Sequence, residues 1–271
     1  MKTIGLIAGW GKLPMIIGSE ARGKGYSVFA VGLKPLVDDE IAKYVDDIAF
    51  VNVGKLGKII SSLKKAGITE VVMAGKVPKT LLYNNRIIPD LRAAKVLMSL
   101  KDRKDDTILL ALADELRKEG ITLLETTLFT ENIMATEGVM TKKKPTKDQI
   151  RDIEFGLPIA KHAGALDIGQ TVVVKDRAVM AVEAIEGTDE AIKRGGILAG
   201  GDAVIVKVAK PGQDLRFDVP GVGRRTILAM AEVHASALAL EAGACIIIDR
   251  DKVLREADEL GISIIGARGL S

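Results

Sequence analysis

The stretch KTIGLIAGWGKLPMIIGSEARGKGYSVFAV, residues 2–31, decides the fold of the N-terminal half. Apolar residues at 3–8 predict a short buried strand, the pattern at 13–24 predicts a helix, and residues 26–31 predict a second strand. A glycine-rich turn joins the first strand to the helix. A strand, a crossover helix and a second strand in this order are typical of a parallel sheet.

The same alternation continues outward from this unit. Beyond residue 31 we predict a helix at 55–66, a strand at 70–74, helices near 90–101 and 106–118, and a strand at 121–124. Because the strands are apolar throughout and helices separate them, we expect a Rossmann-like, doubly wound parallel sheet.

A second α/β or α+β domain is predicted for the C-terminal half. The periodic pattern weakens between about 131 and 148, where a basic stretch contains a proline. We therefore assign residues 1–133 to the N-terminal domain and residues 134–271 to a C-terminal catalytic domain. The C-terminal pattern predicts helices at 146–163, 189–195, 222–242 and 251–260, and strands at 171–174, 178–184, 203–208, 244–248 and 262–266. A cleft between two such domains is the default location for an active site.

Composition argues against several classes of function. The 39 Lys and Arg residues against 36 Asp and Glu give a net charge of +3, and the basic residues are spread along the chain. With 3% aromatic residues, the chain lacks the stacking platforms of a nucleic-acid binder. The single cysteine, Cys245, favours a reducing cytoplasm. Charges or glycines interrupt each apolar run before ~18 residues, so we expect at most peripheral membrane contact.

The first glycine-rich turn favours an anion site. Gly9 and Gly11 follow a predicted strand and open a helix, where backbone N–H groups and the helix dipole attract phosphate. A tight turn with Pro14 at the start of the helix is the alternative. The turn departs from a dinucleotide fingerprint, because Pro14 replaces the third glycine and the second strand ends at Lys34 without an acid for the ribose. Lys76, after another strand, either meets a phosphate or is a solvated turn residue.

Thr188 and Asp189 lie in an acidic turn before a predicted helix. Either residue is well placed as the N-cap of that helix. A glycine-rich stretch at 194–202 lies close in sequence. Flexible backbone with acidic ends suits a phosphate–metal site, or equally a surface loop.

The most specific stretch is VAKPGQDLRFDVPGVGRRT, residues 208–226. Carboxylates at Asp214 and Asp218 can hold a hard cation such as Mg²⁺, and arginines such as Arg216 can bind phosphates through two hydrogen bonds. The sequence has no nucleophile-elbow serine, Cys/His zinc spacing or P-loop, and His162 and His234 fall on predicted helices. Elimination therefore favours carboxylates and a metal.

Residues 210–226, together with 4–14 and 186–189, resemble the LpxI family of UDP-2,3-diacylglucosamine pyrophosphatases, and the resemblance runs the full length. It implies metal-dependent hydrolysis of UDP-2,3-diacylglucosamine to 2,3-diacylglucosamine 1-phosphate and UMP in lipid A biosynthesis. It also implies that water attacks the α-phosphorus and that Mg²⁺ is the usual ion. The implied substrate is an acylated nucleotide sugar, and the implied location is the cytoplasm, at most peripheral on the inner membrane.

The resemblance and the residues together define a predicted site. We predict that Asp218 and Asp214 are catalytic and bind the metal, with Asp218 favoured and the division of roles left open. The predicted substrate-binding residues are Gly9, Gly11, Lys76, Thr188, Asp189, Lys210, Gln213, Arg216 and Thr226. The alternatives are an NAD(P)-dependent oxidoreductase built on the N-terminal half and a non-catalytic nucleotide-sugar-binding protein. A homo-oligomer is compatible with the sequence, which does not fix the oligomeric state.

Overall fold

A computed structural model of the chain describes residues 2–77, 88–101, 105–217 and 219–268. The described residues divide into two compact units. The first contains residues 2–131 and 214–217, and the second contains 132–213 and 219–268. The short segment 214–217 therefore belongs to the first unit, although the chain on either side of it belongs to the second.

The first unit contains a five-stranded sheet. Its strands are β1 (Lys2–Ala8), β2 (Tyr26–Lys34), β3 (Asp47–Asn52), β4 (Glu70–Ala74) and β5 (Thr122–Leu123). Its described helices are α1 (Leu13–Gly23), α2 (Leu56–Lys65), α3 (Leu91–Ser99) and α4 (Asp105–Lys118), with 3-10 turns at Asp39–Lys43 and Thr126–Phe129. The strand order is β3-β2-β1-β4-β5 and each of these pairings is parallel. This is the order of a Rossmann-like sheet, which confirms the predicted fold class.

Helices cover both faces of this sheet, which explains why its central strands are apolar throughout. On one face, Leu6 packs in a buried cluster with Ile17 of α1. On the other face, Ile7 packs in a cluster with Leu63 of α2. Burial on both faces is the usual state of a parallel sheet. Strand β3, which was not predicted, is at the edge of the sheet, where Phe50 of its short apolar run is 44% exposed.

The second unit contains a mixed sheet and a short parallel pair. Its strands are β6 (Gly138–Val139), β7 (Thr171–Lys175), β8 (Ala178–Val182), β9 (Val204–Lys207), β10 (Gly221–Val222), β11 (Ala237–Glu241), β12 (Ile246–Ile247) and β13 (Ser263–Ala267). Its helices are α5 (Lys147–Ala165), α6 (Thr188–Ala199), α7 (Arg224–Glu232) and α8 (Arg250–Glu259), and a 3-10 turn at Glu131–Ile133 lies at the chain boundary between the units. The large sheet has the order β6-β13-β11-β9-β7-β8, and β10 pairs with β12. No helix within the described ranges is both long and apolar enough to span a membrane.

The long helix predicted at 222–242 is wrong. Helix α7 ends at Glu232, and His234, which we placed on that helix, has a positive φ of 54°. Residues Ala237–Glu241 instead form β11, a fully buried strand between β9 and β13. A strand buried on both faces has an unbroken apolar run, which the sequence pattern does not distinguish from a buried helix.

A buried aspartate on α5 holds the turn between β7 and β8. The two turn residues, Asp176 and Arg177, have positive φ values of 52° and 57°. Asp152, 6% exposed, accepts their backbone N–H groups at 3.1 and 2.7 Å. The carboxylate therefore satisfies two donors of a strained turn.

We expect Asp152→Ala to lower the free energy of unfolding by about 2–3 kcal/mol, because hydrogen bonds to a charged acceptor are lost and two donors remain unsatisfied. Urea denaturation measures the change. Asp148→Ala is the control, since Asp148 lies on the same helix with its side chain 82% exposed. Equal stability of the two variants would contradict the assignment.

Candidate functional site

The turns after β1 and β4 contact each other in the first unit. Trp10 donates its backbone N–H to the Lys76 carbonyl at 3.0 Å, and the Lys76 N–H donates back at 2.9 Å. A Cβ on Gly9 would lie 2.9 Å from the Lys76 carbonyl oxygen, so this approach requires glycine. The strand order reverses between β1 and β4, which is where open α/β sheets bind ligands. The structure thus brings together the predicted residues Gly9, Gly11 and Lys76.

Helix α1 begins directly after this turn. Gly11 has a positive φ of 105°, and the N-cap residue Lys12 makes no side-chain capping hydrogen bond. Pro14 lies in the first turn of the helix, as the tight-turn interpretation requires. The first backbone N–H groups of a helix without a side-chain cap suit an anion. Both interpretations of the turn fit this geometry.

The segment 214–217 is anchored beside the end of β4. The Thr126 N–H donates to the Leu215 carbonyl at 3.1 Å, and the Thr126 hydroxyl donates to the Met73 carbonyl at 3.0 Å. Phe217 packs against the apolar cluster that contains Leu63 of α2. These contacts fix Asp214 and Arg216 in the first unit.

Asp214 and Arg216 form a two-pronged ion pair. Arg216 donates from Nε to Oδ1 at 2.9 Å and from Nη2 to Oδ2 at 2.5 Å, and its backbone N–H donates to Oδ1 at 3.1 Å. These hydrogen bonds lower the pKa of Asp214 and raise the pKa of Arg216. The side chains are 31% and 36% exposed. Asp214 is therefore an ionised carboxylate whose charge is largely offset by its neighbour.

Replacing Arg216 by Met should raise the pKa of Asp214 towards the ~3.9 of an unperturbed aspartate. Because the folded-state pKa is lowered, the ion pair stabilises the protein above the unfolded-state pKa and loses that effect as the pH falls through the folded value. Carbon NMR of the Asp214 carboxyl group across an acid titration measures the shift. Arg216→Lys should give an intermediate pKa for Asp214, since lysine keeps the positive charge but cannot form the two parallel guanidinium hydrogen bonds. An unchanged titration in Arg216→Met would contradict this account.

In the second unit, four polar side chains form a buried cluster at the end of β9, here called the sheet-edge cluster. Lys207, the last residue of β9, is 3% exposed. Its Nζ donates to the Thr188 hydroxyl at 2.7 Å and to the Thr171 hydroxyl at 3.3 Å. Glu183 lies 3.9 Å from the same Nζ and accepts from the Thr188 hydroxyl at 2.8 Å. The buried ammonium group therefore has a counter-ion and two hydroxyl partners.

The start of α6 differs from the capping prediction. Gly187 is the N-cap and makes no side-chain capping bond, and Thr188 is already the first helical residue. The Thr188 hydroxyl belongs instead to the sheet-edge cluster, and the Asp189 carboxylate accepts from the Thr226 hydroxyl at 2.9 Å. The predicted residues Thr188, Asp189 and Thr226 therefore lie together, linking the first turns of α6 and α7.

Helix α7 has an unusual N-terminus. Its N-cap, Gly223, makes no side-chain capping bond, and its first turn contains Arg224 and Arg225 with no acidic residue. Arg225 is 81% exposed and its Nε lies 3.6 Å from Asp189. Positive side chains are unfavourable at the positive end of a helix dipole. Glu256 pairs with Arg224 at 2.9 Å, so both arginines have carboxylate neighbours. The first backbone N–H groups of this helix have no side-chain cap, which makes the N-terminus of α7 a second candidate phosphate site.

Two hydrogen bonds between Lys210 and Gln213 close a turn. The Gln213 side-chain oxygen accepts the Lys210 N–H at 2.9 Å, and the Gln213 N–H donates to the Lys210 carbonyl at 3.0 Å. Between them Pro211 precedes Gly212, whose φ is 70°, the pattern of a type II turn. The Lys210 ammonium group pairs with Asp167. Both predicted residues thus shape the loop in this structure, and their contact with substrate stays a prediction.

Sequence reasoning missed the buried charges of this unit. Lys207, Glu183, Glu241 and Lys161 were not predicted as site residues. Lys207 follows an apolar run at 203–206, and Glu241 follows one at 237–240. A charged residue at the end of an apolar strand was the available signal, because strand ends in parallel sheets meet at the ligand-binding edge.

Asp218, the favoured catalytic residue, lies outside the described residues. Within the ranges that the structure describes, no three Asp, Glu, His or Cys side chains are grouped closely enough to hold a metal ion. Cys245 is fully buried, and burial raises the pKa of its thiol to about 11. A buried, protonated thiol is not a nucleophile.

Removing Lys207 should leave Glu183 as a buried, uncompensated charge. We expect Lys207→Met to lower the free energy of unfolding by about 3 kcal/mol. Glu183→Gln combined with Lys207→Met should recover most of this loss, because neither charge is then buried alone. Chemical denaturation of the two single variants and the double variant tests the coupling. Strictly additive effects would contradict an interaction between the two charges.

The fold and the polar groups at the strand ends define a two-domain α/β protein with candidate anion sites in each unit. Family models describe such a pair of domains: the LpxI N-terminal domain matches residues 3–133 and the LpxI C-terminal domain matches residues 136–265. The chain belongs to the LpxI family, which confirms the resemblance found in the sequence. It is 34% identical over 277 aligned residues to the UDP-2,3-diacylglucosamine pyrophosphatase LpxI of Caulobacter vibrioides, covering 98% of each chain.

Solved structures are more distant. A UDP-glucose-4-epimerase of Stenotrophomonas maltophila, with bound NAD and formylated UDP-arabinopyranose, is 12% identical, with a TM-score of 0.30 over 45% of this chain and 35% of its own. A CobK precorrin-6A reductase is 10% identical, with a TM-score of 0.29 over 100% of this chain and 89% of its own. At these scores neither likeness bears on fold or function.

Proposed function

We propose that this chain is a hydrolase that cleaves the pyrophosphate of UDP-2,3-diacylglucosamine, giving 2,3-diacylglucosamine 1-phosphate and UMP in lipid A biosynthesis. The observation that carries the proposal is its 34% identity, along 98% of both chains, to a relative named for activity on this substrate. We place the protein in the cytoplasm, at most peripherally on the inner membrane, because its substrate carries two acyl chains.

Arg216 is the proposed ligand for a phosphate oxygen of the substrate. Asp214 occupies its Nε and Nη2 groups and holds the guanidinium plane in place. The Nη1 group, which Asp214 does not contact, can donate to phosphate. A planar fork that is already oriented loses less conformational entropy on binding than a free side chain. The uncapped start of α1 beside Gly9 supports a further phosphate contact in the same unit.

The proposed cofactor is Mg²⁺, and the carboxylates of Asp218 and Asp214 suit it because hard cations prefer oxygen ligands. Asp214 is the weaker candidate, since Arg216 already offsets its charge. We therefore assign the main metal-binding role, and the orientation of the attacking water, to Asp218. Asp214 would then act chiefly by holding Arg216. When bound, the cation stabilises the charge that develops on the phosphate oxygens.

The direct test incubates the protein with UDP-2,3-diacylglucosamine and Mg²⁺ and measures UMP by chromatography. We expect release of UMP, loss of activity with EDTA, and recovery with added Mg²⁺. Asp218→Asn should lower kcat by about 10² to 10⁴-fold, the usual contribution of a positioned acid–base group. Asp214→Asn should lower it less, and the exposed Asp148→Asn should leave it unchanged.

Full activity in both Asp214→Asn and Asp218→Asn would rule out the proposed site even if UMP were released. Binding of the nucleotide sugar without product would instead indicate a non-catalytic binder. Tight binding of NAD by calorimetry would favour the oxidoreductase alternative. Reaction in ¹⁸O-labelled water locates the attack, because label in UMP identifies the α-phosphorus.

A further inference from the structure

In the second unit, one largely buried ion pair forms hydrogen bonds to both the N–H and the carbonyl group of Ala209. Lys161 of α5 and Glu241, the last residue of β11, lie 2.7 Å apart, with side chains 17% and 11% exposed. The Lys161 Nζ also donates to the Ala209 carbonyl at 3.0 Å. The Ala209 N–H donates to the other carboxylate oxygen of Glu241 at 2.8 Å. Both polar groups of Ala209 are therefore bound by charged side chains.

Ala209 lies between the end of a strand and the start of a loop. Strand β9 ends at Lys207, and the loop that carries the proposed catalytic residues begins at Lys210. Ala209 is thus the last residue before the chain turns at 210–213 and reaches Asp214. The direction of the backbone at Ala209 sets where this loop starts.

A second feature of α5 fits the start of the same loop. Gly164 follows Lys161 by three residues, so both lie on one face of the helix. A Cβ on Gly164 would lie 3.3 Å from the Cα of Lys210 and 3.5 Å from the Pro211 ring. The absence of a side chain at Gly164 lets the loop pass close to the helix. Helix α5 therefore holds Ala209 through Lys161 and admits the next residues at Gly164.

Stability alone does not account for this pair. Replacing a buried ion pair by apolar side chains of similar size often leaves the stability of a protein unchanged or raises it. A carboxylate and an ammonium group can do what apolar groups cannot: they fix a peptide N–H and a peptide carbonyl in one orientation. The pair thus specifies a position at the start of the loop.

We propose that Lys161 and Glu241 are positioning residues that fix the start of the loop at 209–213 and thereby the placement of Lys210 and Gln213, two of the predicted substrate-binding residues. This rests on the proposed function. Neither residue needs to touch the substrate, since both act through the backbone of Ala209.

The test compares Lys161→Met with Lys175→Met. Lys175 is a matched control: it is also partly buried, and its Nζ also holds two backbone carbonyls, those of Ala199 at 2.8 Å and Gly201 at 3.0 Å, away from the loop. We expect Lys161→Met to lower kcat/KM about 10- to 100-fold, mainly by raising KM, because small misplacements of binding groups have effects of this size. Lys175→Met should keep the wild-type kcat/KM although both variants are less stable. Lys161→Arg should restore much of the rate.

Glu241→Gln provides a variant with a milder change, since its amide oxygen can still accept the Ala209 N–H. It should retain more activity than Glu241→Leu, which removes the acceptor. The proposal is overturned if Lys161→Met and Glu241→Leu fold and keep the wild-type kcat/KM, or if Lys175→Met loses as much.

Amide hydrogen exchange of residues 209–213 tests the same proposal without activity. Exchange at 209–213 should accelerate in Lys161→Met and remain as in the wild type in Lys175→Met. Should the wild-type protein release no UMP, the proposed function fails while this measurement still decides the positioning role. Equal exchange in both variants would refute it.

Discussion

Parallel strand pairing is the constraint on which both units depend. A strand paired in parallel with the one before it is reached by a crossover, so the chain leaves successive strands at the same edge of the sheet. In the first unit this brings the turns after β1 and β4 into contact through Trp10 and Lys76. In the second it places Lys207 and Glu241 at the ends of the neighbouring strands β9 and β11. Polar groups accumulate at these edges because the strands themselves are filled with apolar side chains.

The fold was predictable where the pattern of burial was distinctive. In the N-terminal half, apolar strands separated by amphipathic helices leave little choice of architecture, and the parallel sheet is confirmed. The failure at 222–242 has a physical cause: alanine and leucine are good helix formers, but pairing with β9 and β13 overrides that preference at 237–241. Edge strand β3 was missed although residues 48–51 are all apolar, because so short a run is ambiguous by pattern alone.

The candidate site was only partly accessible to sequence reasoning. The glycine turn and Lys76 could be found because each follows a predicted strand. The contact between Asp189 and Thr226 joins residues 37 positions apart and depends on the packing of two helix ends. Nor does the sequence say that Arg216 pairs with the carboxylate of Asp214. Lys207 lies near the end of a predicted strand and could have been found, whereas Glu241 was hidden because residues 237–241 were predicted as part of a helix.

The assignment of residues 214–217 to the first unit has a consequence for biosynthesis. Phe217 contributes to the apolar cluster of the first unit, and the Leu215 carbonyl accepts the N–H of Thr126. A nascent chain that has emerged only to residue 131 has neither partner. The N-terminal unit therefore reaches its final packing only after most of the C-terminal unit has left the ribosome. Residues 214–217 thus make the complete folding of the N-terminal unit depend on synthesis of the C-terminal half.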